Sequence, residues 1–161
     1  MATMKRRPPD LTKMLRFQQW QEGWVRPNHD LWDFMNFHGN LDLAVAFSSL
    51  FWPDIVEVDG CYFRSQTGLQ EMLQEWNVVL KGDKRALEGL INHLHVYDLF
   101  SFADDGVEID LSVRECLGET LVECWTCALK TKFPEVSFTV DYATEPDEYG
   151  PTLTFYQTKE L

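Results

Sequence analysis

Residues 112–142 read SVRECLGETLVECWTCALKTKFPEVSFTVDY, and the change of period inside this stretch decides the fold. Ser112 with Glu115 three positions on matches a capping box. Val113, Leu117, Leu121, Cys124, Trp125, Ala128 and Leu129 then share one helical face. The residue before a proline is biased away from helix, so Phe133-Pro134 closes the segment. Beyond Pro134 the period falls to two: Val136, Phe138, Val140 and Tyr142 alternate with polar residues. Leu153 and Phe155 alternate likewise after the turn-rich stretch 144–151, which predicts a C-terminal hairpin.

Upstream, Leu69, Met72, Leu73, Trp76, Val79 and Leu80 recur at three and four residues, predicting a helix that Gly82 ends. Asp83 caps a shorter helix through Leu87, Leu90 and Ile91, and residues 94–100 are expected to be extended. Residues 55–64, with Val56, Val58, Tyr62 and Phe63, read as a strand in which Asp59-Gly60 is either a tight turn or a bulge. Before it stand two short helices. One is capped by Asn28 or Asp30 and stopped by Gly39; the other is capped by Asn40 and ends near Phe51, with Pro53 barring continuation. Asp10 caps a first helical stretch carrying Leu11, Met14, Phe17, Trp20 and Trp24. The expected fold is α+β: a small antiparallel sheet with a C-terminal hairpin, packed against several helices.

Two regions of opposite charge are expected. Residues 1–26 form a basic tail and short amphipathic helix with six Lys/Arg against two acids, about +4. Residues 27–161 form a single acidic α+β domain with eight against 24, about −16, which together make the net −12. A body this negative repels phosphate backbones and anionic membrane surfaces, and attracts basic surfaces by long-range steering. At 45% hydrophobic and 14% aromatic residues, the chain lies outside the regime in which disorder is expected. The apolar run 41–52 is broken by Asp42 and Ser48-Ser49 and falls short of the ~20 residues a membrane span needs. Pro8, Pro9 and Asp10 follow Lys5, Arg6 and Arg7 where a signal peptide would place an apolar stretch. Cys61, Cys116, Cys124 and Cys127 do not form a secreted disulfide pattern, so a reducing cytoplasm is expected.

Chemistry-bearing motifs are few. His93, His95 and Asp98 have metal-ligand spacing, and an extended 93–95 would put both imidazoles on one side. The run is superficially similar to the metallo-β-lactamase His-x-His-x-Asp-His motif, with Asp98 one position late and no following His. It is the basis of the alternative reading, a small metal-dependent hydrolase. Cys124 and Cys127 have thioredoxin spacing but lie deep in a helix rather than at its N-terminus, where the dipole would activate a thiol. The cysteines are therefore expected to be small buried hydrophobes. Without a Gly-rich phosphate loop, a Gly-x-Ser-x-Gly elbow or an HExxH helix, no catalytic residue and no cofactor is assigned.

The carboxylates concentrate between residues 98 and 123. Asp98, Asp104, Asp105, Glu108, Asp110, Glu115, Glu119 and Glu123 stand against Arg114 alone. Glu115, Glu119 and Glu123 are four apart, so they are expected to form a solvent-facing acidic ridge. These eight residues are the candidate partner-binding site. In charge, size and expected cytosolic character the chain resembles small acidic immunity proteins. That resemblance implies a non-enzymatic inhibitor covering the basic surface of a toxin or nucleic-acid enzyme, with no direct contact to nucleic acid or membrane. A structural homo-oligomer is the remaining alternative.

Overall fold

A computed structural model of the chain describes residues 8–25, 29–96, 98–99, 109–144 and 151–158. Helices α1 (Leu15–Glu22), α2 (Leu31–His38) and α3 (Leu41–Phe51) precede a hairpin of β1 (Ile55–Val58) and β2 (Cys61–Arg64). Next come α4 (Leu69–Val79), α5 (Lys84–Ile91) and the short β3 (Leu94–His95), then α6 (Leu111–Lys132), β4 (Phe138–Ala143) and β5 (Thr152–Gln157). The protein is α+β, with two small antiparallel sheets: β1-β2, and a three-stranded sheet in the order β3-β5-β4.

The caps form where short polar side chains precede apolar runs. Asp30 and Asp33 make a reciprocal capping box on α2, Asn40 Oδ1 accepts from Leu43 N at 2.9 Å, and Asp83 Oδ1 accepts from Ala86 N at 3.0 Å. At Asp59-Gly60 both φ angles are positive, 52° and 76°, as a two-residue hairpin turn of primed type demands; the position is a turn and not a bulge. Three expectations need correction. Asp110, rather than Ser112, caps α6, because its carboxylate accepts from both Ser112 N (2.9 Å) and Ser112 Oγ (2.6 Å). The first helical stretch is split into a 3-10 turn, Leu11–Lys13, and α1, with Met14 between them outside helical geometry. Of the described residues in 94–100, only Leu94–His95 joins a sheet. Val96 N still donates to Pro151 O, but Pro151 has no N–H to extend the ladder, and Asp98 and Leu99 lie in a helical turn.

Successive residues of β2 feed different cores, because alternate strand side chains point to opposite faces. Tyr62 joins Ile55, Leu121, Trp125, Leu129, Leu153 and Phe155, where α6 meets β5. Cys61 and Phe63 join Leu69, Leu73, Leu87 and Ile91, under α4 and α5. Helix α6 comes close to β4 at Gly118, where an added Cβ would run into the Tyr142 ring.

Two buried polar side chains, Glu88 of α5 and its C-cap residue Asn92, connect the sheets. Glu88 accepts from Tyr62 N (2.8 Å) and Gln157 N (2.7 Å), and from Gln157 Nε2 (2.9 Å). Asn92 accepts from Arg64 N (2.9 Å) and donates to Tyr62 O (2.9 Å) and Phe155 O (3.2 Å). Four residues of helix rise about 6 Å and two residues of strand about 6.6 Å, so an i, i+4 pair matches alternate residues on each edge. Glu88 and Asn92 thus occupy the place of a strand between β2 and β5. Both are fully buried, and all their polar contacts except that with Gln157 Nε2 are to backbone groups of β2 and β5.

Candidate functional site

Of the eight carboxylates singled out above, the five among the described residues do not all face solvent. Asp104, Asp105 and Glu108 lie outside the described residues. Asp98 is exposed in its helical turn. Asp110 is engaged at the start of α6, with Lys13 Nζ 3.8 Å from its carboxylate. The Ser112 side chain, then the Ser112 backbone, and more weakly Lys13, hold the Asp110 carboxyl below its ordinary range.

The acidic ridge on α6 needs correction too. Glu123 is exposed and Glu115 half-buried, but Glu119 is only 7% exposed. Helical spacing puts the three on one stripe, yet β4 packs against α6 and the middle of the stripe is buried. Tyr142, lying against Gly118, registers the proximity. Burial first, then Glu115 and Glu119, push its phenol up to about 12.

The cysteines also differ from expectation. Only Cys61 is buried; Cys116 and Cys124 are half-buried, Cys127 is exposed, and none of the four is in a disulfide. The His93 and His95 rings lie 4.6 Å apart, so the spacing does bring them together. Asp98 does not complete a ligand set. Among the described residues no three His, Cys, Asp or Glu side chains group as a metal would require.

The largest departure from ordinary burial is in α2 and α3, neither of which has a buried residue. Leu41 is 84% exposed, Trp32 72% and Val45 65%, and Phe37, Met35 and Trp52 are more than half exposed. Helix α2 is held on one side by α1: Phe34 packs edge-on against Phe17 (5.5 Å) and Trp20 (5.4 Å), and Phe37 lies 6.0 Å from Trp20. Helix α3 is held at its end. Leu50 and Phe51 reach the α6 core, and Leu50 O accepts from Trp125 Nε1 at 2.9 Å. Next to that anchor an open groove of about 350 Å³ is lined by Trp52, Pro53, Asp54, Ala128, Thr131 and Lys132.

Residues 29–54 carry Asp30, Asp33, Asp42 and Asp54 and no Lys or Arg; Asp54 is paired with Lys132 of α6 at 2.6 Å. The signal for this surface was present in the run 41–52. It is apolar on more of its circumference than one packed face can bury.

No family model matches the chain, and searches of curated proteins and of solved structures find no match either. Among the described residues no helix is long and apolar enough to cross a membrane.

Proposed function

We propose that this chain is a non-enzymatic protein-binding module whose partner is a basic, amphipathic protein surface, received on the α2–α3 face. One observation carries the reading: large apolar side chains stand exposed within a 26-residue segment, 29–54, that has four acids and no Lys or Arg. Exposed apolar patches of this kind mark interaction sites. Aromatic anchors such as Trp32 and Phe37, with a charged surround, are what a specific interface uses. The acids supply steering and partner choice, and the apolar residues supply the area removed from water.

The finer form of the proposal is an inhibitor of the immunity-protein type, acting in a bacterial cytoplasm on the cationic cleft of a toxin or nucleic-acid enzyme. Its supports are the net charge of −12 and four cysteines that form no disulfide. The carboxylates of 98–123 then act as long-range attraction around the body rather than as the contact itself. A second reading, self-association of two copies, is favoured by the same exposed side chains.

The test uses two synthetic helical peptides, each with a Leu face and with either Lys or Glu on the other. Calorimetric titration is expected to show salt-sensitive binding of the Lys peptide only. Replacing Leu41→Asp and Val45→Asp together is expected to weaken it about tenfold or more. The added acids make that outcome diagnostic: attachment by charge alone would tighten, and tightening overturns the proposal. Sedimentation of the unliganded chain covers the second reading. A dimer that the same double variant dissociates, and that the Lys peptide does not displace, overturns the basic-partner form in favour of self-association.

A further inference from the structure

We propose that Arg64, His93 and His95 form a binding site for a small tetrahedral oxyanion, such as a phosphate group. The site differs in both residues and chemistry from the α2–α3 face, and does not rest on it.

Arg64 closes β2, and its backbone N–H is fixed by Asn92 Oδ1. Its guanidinium lies with Cζ 5.2 Å from the centre of the buried Trp125 ring, a cation–π arrangement that sets its plane. Nη2 reaches only the His93 carbonyl, at 3.4 Å, and Nε is buried without a hydrogen-bond partner. The ion pairs found among the described residues are Lys13–Asp110, His29–Asp33 and Lys132–Asp54, none of which involves Arg64. Beside it stand the paired imidazoles, with His93 exposed to solvent and His95 half-buried.

The electrostatics agree with the geometry. Burial alone holds the Arg64 guanidinium below its ordinary value, with no carboxylate opposing it. His93 is pushed down by burial, then by His95, then by Arg64. In a chain with 26 acids against 14 Lys/Arg, Arg64 stands beside the two imidazoles, and no carboxylate is among the groups acting on Arg64 or His93. A partly buried cation left uncompensated is costly, and an anion entering between the three relieves the cost. A planar fork with two imidazole N–H donors from another direction matches a tetrahedral oxyanion better than a flat carboxylate.

The probe is sulfate, which keeps its charge across the working range, titrated into the full-length protein near pH ~6 with chloride-matched ionic strength. Imidazole NMR resonances are read. His93 and His95 are expected to shift saturably, while His29 and His38, in the α1–α2 aromatic cluster, serve as internal controls. Arg64→Gln is expected to lower sulfate affinity about tenfold, and His93→Gln, at an exposed position, severalfold with circular dichroism unchanged. Linear shifts shared by all four histidines mean an adventitious ion only and overturn the site. Acetate binding as tightly as sulfate overturns the tetrahedral assignment. If Arg64→Gln fails to fold, His93→Gln decides alone: undiminished affinity in it overturns the proposal.

Discussion

Helices α3 and α5 invert the usual relation between polarity and burial. Eight of the eleven residues of α3 are apolar, and none is buried; α5 has eight residues, and among those it buries is the carboxylate of Glu88. The difference is in what each helix faces. Helix α5 lies between two sheet edges whose N–H and C=O groups must be satisfied, so a polar side chain there is hydrogen-bonded on arrival and its burial is compensated. Among the described residues α3 is anchored mainly at its C-terminal end, so exposed side chains such as Leu41 and Val45 keep their hydration cost until something covers them. Position relative to open backbone, more than hydropathy, decides which side chains go inside.

Three substitutions sharpen or break this contrast, in falling order of effect. Glu88→Ala strands the backbone N–H groups of Tyr62 and Gln157 and removes one of the two bonds of Gln157 Nε2, and is expected to cost about 3 kcal/mol or more in urea unfolding. A loss under about 1 kcal/mol would mean that water replaces the carboxylate and that the two sheets do not depend on it. Asn40→Ala removes the bond to Leu43 N and is expected to cost about 1 kcal/mol, with helicity lost from the first turn of α3. No effect there would show that α3 is held by its anchored end alone. Leu41→Ser, at the most exposed leucine of α3, is expected to change stability by no more than about 0.5 kcal/mol. A larger loss would place Leu41 inside a packed contact in solution, as self-association would.

Much of the fold was legible because it is written locally. Asp30, Asn40 and Asp83 cap the helices they precede, and the switch of period at Pro134 separates α6 from β4. What was not legible depends on residues far apart in the chain. The seam joins positions 60–64, 88–92 and 155–157, and no window of sequence contains all three. The stripe of Glu115, Glu119 and Glu123 follows from helical spacing, but which neighbour covers Glu119 does not. The closeness of His93 and His95 was readable from their spacing, whereas the group that gives them an anionic rather than metallic preference, Arg64, lies 29 residues before His93.

The seam also bears on how the molecule keeps to itself. Open strand edges are templates on which other chains add and aggregates grow. Here the free edge of β2, and the stretch of β5 that β3 leaves uncovered, are occupied from within by two side chains, one helical turn apart. Two of the places where a foreign strand could zip on are therefore closed without the protein having to build another strand.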